Sequence, residues 1–222
     1  MYVDQWSDDG GSADSGAAWI VWGRRAEYSN SNSVYKDTQT VLATGTGAND
    51  FMGAGIGFMP DVDGDGADEV LVLRGSTSKL YLLMGGEDLH SSFRDLDREA
   101  DAIFTGVADF SGVINAGDWT GDGVDDVALT FGGEGAGAKG GGLFLFESRE
   151  WSGTQSADLS VYGSIVGGDF NANFGKGAPI TSADLDKDGT IDLVIGDFGY
   201  DDTDATKDGA EGAVFVFYNR SE

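Results

Sequence analysis

Three nine-residue stretches set oxygen-bearing side chains on alternate positions, glycine at the sixth and an acid at the ninth. They are DVDGDGADE (61–69), DWTGDGVDD (118–126) and DLDKDGTID (184–192). Hard divalent cations take several oxygen ligands at about 2.3–2.6 Å. A short loop turns alternate carboxylates inward only if the backbone can enter the φ > 0 region, which Gly66, Gly123 and Gly189 allow. Asp and Gly also favour ordinary solvated turns, but turn chemistry does not demand alternate acids followed by another at position nine. Three such stretches in register read as metal loops, and the chain as an array.

The residues after each loop limit the fold further. The apolar runs VLVL (70–73), VAL (127–129) and LVI (193–195) are short and rich in β-branched residues, as strands buried on both faces are. An EF-hand is excluded, because it needs Glu at position twelve and a following helix. Here the twelfth positions are Val72, Leu129 and Ile195. Each loop is therefore expected to link two strands. Aromatic or apolar strands come next at 80–84, 143–146 and 214–217, and 19–22 matches them without a loop of its own. Aligning Trp19, Tyr81, Phe144 and Phe215 gives steps of 62, 63 and 71 residues, while the loops step by 57 and 66. The units are a partial repeat over 1–23 and full repeats over 24–86, 87–148 and 149–222. Each should hold a strand before the loop, one after it, the aromatic strand and an outer strand such as 39–43 or 102–105. Residues 86–102 are expected to contain a helical turn.

A further block precedes each loop: Phe51-Met52-Gly53, Phe110-Ser111-Gly112, and Phe174-Gly175-Lys176-Gly177-Ala178-Pro179. With FGKGAP ahead of DLDKDGTID, the chain resembles the FG-GAP repeats of integrin α-subunits and of many bacterial surface and secreted proteins. That resemblance implies an all-β fold of β-propeller blades with four antiparallel strands each, as part of a seven-bladed ring. It also implies Ca²⁺ in the loops and, at position seven, a backbone carbonyl as ligand. The expected ligands are then Asp61, Asp63, Asp65, Ala67 (carbonyl) and Glu69 in the first loop. The second has Asp118, Thr120, Asp122, Val124 (carbonyl) and Asp126, and the third Asp184, Asp186, Asp188, Thr190 (carbonyl) and Asp192. Glu69 departs from the family's Asp, with Asp68 as a neighbouring substitute. Thr120 replaces a carboxylate, so the second site is expected to be the weakest.

Composition narrows the function. A net charge of −26 opposes nucleic acid and anionic lipid, and three Ca²⁺ would reduce it only to −20. There is no cysteine, hence no disulfide and no thiolate chemistry. No long apolar run or signal-like segment occurs, so membrane insertion is not expected. Catalysis has little support, since His90 is the only histidine and reads as a surface residue, and the acid clusters are claimed by metal. Lys139, in a Gly-rich stretch ahead of an aromatic strand, is not placed as a phosphate-loop lysine. Most Trp and Tyr read as packing, which leaves Trp6 and Trp151 as candidates for stacking on sugar.

The expected protein is a non-catalytic, calcium-stabilised adhesion or interaction module, extracellular or at the cell surface, with a protein or glycan ligand. Alternatives are a polysaccharide-binding accessory domain of a secreted hydrolase or lyase, or a structural subunit of a surface filament. Three repeats and a partial fourth fall short of seven blades. The chain is thus expected to pair as a homodimer or with the remainder of a longer propeller.

Overall fold

A computed structural model of the chain describes residues 2–4, 13–22, 39–86, 89, 95–105, 110–131, 141–156, 163–166, 180–200 and 211–220. The architecture is all-β, in four small sheets with no closed barrel among the described residues. The first sheet contains β1 (Tyr2–Asp4), β2 (Ala17–Val21) and β3 (Gln39–Thr44), in that order. The second runs β4 (Met52–Met59), β5 (Glu69–Arg74), β6 (Lys79–Leu83) and β7 (Ala102–Thr105). The third begins with β8 (Phe110–Gly117), β9 (Asp126–Phe131) and β10 (Gly142–Phe146). The chain then returns to the second sheet, where β11 (Gly153–Ser156) lies parallel to β7, before β12 (Gly163–Val166) completes the third. The fourth holds β13 (Ile180–Ala183), β14 (Asp192–Asp197) and β15 (Ala213–Phe217).

The two-sided burial expected of the strands after the loops comes from their period of two. Along β5, Val70 and Val72 face the first sheet, whereas Leu71 and Leu73 face the third. Along β9, Val127, Leu129 and Phe131 face the second sheet and Ala128 the fourth. A separate apolar core fills each gap, so the sheets stack face to face in chain order. Between the second and third, Phe104 meets Phe146 and Trp151 edge-on at 5.3 and 5.5 Å. Backbones approach closely there. A Cβ on Gly57 would lie 2.3 Å from the Cβ of Val113, which only glycine avoids.

The sheets are offset by one strand from the sequence repeats. The 39–44 strand pairs with β2, not with the loop strands that come after it, and β7 pairs with β6. The outer strand thus comes after the aromatic strand of its sheet. The helical turn expected in 86–102 is the single turn α1 (Leu96–Glu99), whose Leu96 is buried in the core between the first two sheets. Next to it, Arg74 bridges Asp50 at 2.6 Å and Asp97 at 2.9 Å, while Lys79 reaches Asp97 at 2.6 Å. Burial works to raise the Asp50 carboxyl, but the Arg74 guanidinium and the Gly47 and Thr46 amides outweigh it and hold it below its ordinary value. Lys79 does the same for Asp97. The FGKGAP stretch, Trp6, His90 and Lys139 lie outside the described residues. Among the described residues, no helix is long and apolar enough to cross a membrane.

Candidate metal centres

Each acidic stretch joins two antiparallel strands: β4 to β5, β8 to β9, and β13 to β14. The first aspartate organises each loop. Asp61 accepts from the amides of Gly64 (2.7 Å), Asp65 (3.1 Å) and Gly66 (2.9 Å). Asp118 accepts likewise from Gly121 (2.6 Å), Asp122 (3.1 Å) and Gly123 (2.8 Å). Asp184 accepts from Lys187 (2.6 Å) and Gly189 (3.2 Å). At position five, Asp65, Asp122 and Asp188 accept from the amides of Ala67, Val124 and Thr190, at 2.8, 2.8 and 2.9 Å. Short carboxylate-to-backbone bonds of this kind hold each side chain at its own turn.

Position six is left-handed in every loop, with φ of 91°, 92° and 92° at Gly66, Gly123 and Gly189. Position four is left-handed as well, at Gly64 (79°), Gly121 (78°) and Lys187 (63°). A Cβ added at Gly189 would meet nothing within 4 Å, so a substitution there is opposed by backbone conformation alone. A side chain in this region costs about 1–2 kcal/mol, partly offset by the entropy that glycine loses on folding. Lys187→Gly is therefore expected to stabilise the protein by up to about 1 kcal/mol, and Gly189→Ala to destabilise it by about 1–2. Denaturant midpoints of the two variants check both signs.

The acids at position nine behave differently from the rest. Glu69, Asp126 and Asp192 are buried, at 0%, 1% and 0% exposure, and each spreads its two oxygens between two segments of backbone. Glu69 accepts from Val62 (2.8 Å) and from Gly85 (3.3 Å), just past β6. Asp126 accepts from Trp119 and Thr120 (both 2.8 Å) and from Ser148 (3.1 Å), past β10. Asp192 accepts from Leu185 (2.8 Å) and from Asn219 (3.1 Å), past β15. One carboxylate thus staples the start of its loop to the end of the aromatic strand. Burial pushes the Glu69 carboxyl above its ordinary value against the pull of the Val62 and Gly85 amides. It does the same to Asp126 against Ser148, Thr120 and Trp119. Sequence reasoning assigned these acids as ligands and missed the staple.

The remaining acids converge. Asp61, Asp63 and Asp65 each place a carboxylate oxygen within 4.8 Å of the others, as do Asp184, Asp186 and Asp188. Each set could hold a metal ion. Five of these six acids are exposed and Asp61 is partly buried, so an ion could reach them from solvent. In the second loop Asp118 and Asp122 keep the same backbone bonds, while Thr120, in the place of an acid, lies 3.5 Å from Asp118 through its hydroxyl. Asn219 ties the second and third loops together, since its side-chain amide donates to the Asp118 carbonyl at 2.7 Å. A cleft of about 540 Å³ opens between these loops, lined by Trp119, Thr190 and Arg220 among others.

Trp151 is not available to a sugar. It is 5% exposed, donates to the Glu147 carbonyl at 3.0 Å and packs on Phe104, with Arg149 lying over its ring at 3.8 Å. Its place in the core between two sheets could not be read from a polar neighbourhood in sequence. No protein-family model matches the chain, and no curated protein matches it in sequence.

Proposed function

We propose that the chain is a calcium-braced, non-catalytic interaction module of the FG-GAP propeller type, working outside the cell or at its surface. The observation that carries this reading is the convergence of the alternate acids at positions one, three and five in the first and third loops. Calcium suits such a site better than magnesium, which keeps several waters and seldom uses a cage made of protein groups. Asp61, Asp63 and Asp65 would hold one ion, Asp184, Asp186 and Asp188 another, and Asp118, Thr120 and Asp122 a weaker third. The position-seven carbonyls of Ala67, Val124 and Thr190 and the position-nine acids would add oxygens. A bound ion supplies charge neutralisation and cross-linking of the loop, so its role is structural. Four sheets stacked in chain order, the inner two buried on both faces, suit blades of a propeller. Recognition of a protein or glycan then falls to surfaces away from the loops.

Calorimetric titration of the full chain with calcium tests this. Three ions per chain are expected, the weakest in the second loop, and Thr120→Asp should tighten that site about tenfold by adding a ligand charge. Absence of calcium binding, or equal binding of magnesium, would sink the proposal.

A further inference from the structure

The cleft between the second and third loops is bounded by parts that are fixed in place. Asn219 gives its side-chain amide to the Asp118 carbonyl at 2.7 Å and its backbone amide to Asp192 at 3.1 Å, while its own carbonyl accepts from the Thr190 hydroxyl. Ile191, which also lines the cleft, packs so closely on Gly117 that a Cβ there would lie 2.5 Å from the Ile191 Cβ. Across the same two sheets, Ser182 donates to the Asn115 carbonyl at 2.8 Å. Walls pinned in this way stand ready before a ligand arrives, which reduces the ordering cost of binding. The volume of about 540 Å³ falls within the roughly 300–1,000 Å³ of small-molecule sites.

Several lining residues have bonding capacity that the fold does not use. Trp119 is half-buried and packs on the core between the third and fourth sheets. Its indole N–H is already given to the Ala116 carbonyl at 2.7 Å, so the ring itself has only apolar surface to offer a ligand. It is the one aromatic residue at position two, where the other loops carry Val62 and Leu185. Arg220 is exposed, with its guanidinium 5.7 Å from the centre of the Tyr218 ring. Among the described residues no hydrogen bond or ion pair engages that guanidinium, which leaves all of its N–H donors for a ligand. Asp125 is exposed and uses one carboxylate oxygen to accept from the Asn115 side-chain amide at 2.9 Å, leaving the other. The Thr120 hydroxyl, 3.5 Å from Asp118, is held only loosely. An apolar ring set among donors and acceptors suits a ligand with an apolar face and hydroxyls around its edge, as a pyranose sugar has. An anionic ligand would gain from Arg220 but meet Asp118 and Asp125 in the same cleft, and a cationic ligand would meet Arg220. We infer that this cleft binds an uncharged hexose unit of a glycan, its apolar face on Trp119 and its hydroxyls bonded to Arg220, Asp125 and Thr120. The site adds to any recognition surface away from the loops, and it stands on the cleft and not on the calcium reading.

The test is an array of neutral oligosaccharides of glucose, mannose, galactose and N-acetylglucosamine, with uronate oligomers as a second arm, probed with the full chain in calcium. The neutral oligosaccharide with the strongest signal is then titrated by calorimetry. At least one neutral oligosaccharide is expected to bind. Trp119→Leu, which supplies the residue that the third loop carries at this position, and Arg220→Gln, at an exposed position, should each weaken it at least about tenfold. Both variants should melt close to the wild type in calcium; if Trp119→Leu does not, Arg220→Gln decides alone. A wild-type chain that binds no glycan on the array overturns the inference. Binding of uronate oligomers alone also overturns it, as does neutral-glycan binding that a well-folded variant retains in full. Calcium is titrated separately without glycan, so failure here is distinguishable from failure of the metal reading.

Discussion

On the proposed reading of the loops as calcium sites, a chelator is expected to lower the melting temperature of the protein by roughly 10–15 °C. Extracellular sites of this charge count bind at about 10⁻⁴ M. At roughly 1–2 mM free calcium, each site then stabilises the folded state by about 1.4–1.8 kcal/mol, and three by about 4–5. That is as large as the whole net stability of many domains. The physical source is plain in the first loop, where Asp61, Asp63 and Asp65 crowd within 4.8 Å and repel one another unless a cation sits among them. Differential scanning fluorimetry in calcium and in chelator reads the shift, with magnesium as the control.

Asp126→Ala is expected to be the most damaging single substitution in the loops, costing about 3–5 kcal/mol. It removes the acceptor of three backbone amides, those of Trp119, Thr120 and Ser148. Each buried donor left without a partner costs about 1–3 kcal/mol, and water reaching the exposed side of the loop recovers part of this. Asp126→Asn keeps an acceptor oxygen and the shape, so it should lose about 1–2 kcal/mol. Urea denaturation in calcium and in chelator separates the two roles of this acid. A staple costs stability under both conditions, whereas a ligand alone costs it only when calcium is present.

The strands on either side of each loop were legible because apolar alternation and the apolar twelfth position leave few other folds. The convergence of the acids in the first and third loops was legible because side chains on alternate positions of a short loop, with a left-handed glycine at the sixth, turn toward one another. The position-nine staple was not, since its donors beyond the loop, at Gly85, Ser148 and Asn219, lie 16 to 27 residues away. Position four hid for a simpler reason. Gly64 and Gly121 signalled a second left-handed residue, but Lys187 in the third loop obscured the rule. The parallel strand β11 was invisible because GTQS is short and polar, and only pairing with β7 makes it a strand. Trp151 looked like a surface ring because sequence does not show that the chain passes back over the second sheet before β11.

In a calcium-braced fold, ion binding and folding form one linked equilibrium. The decisive measurement is folding free energy from urea denaturation as a function of free calcium. At saturating calcium its slope against the logarithm of concentration reports the ions bound on folding. A slope approaching three ions per chain is the expected result. A flat line would contradict it.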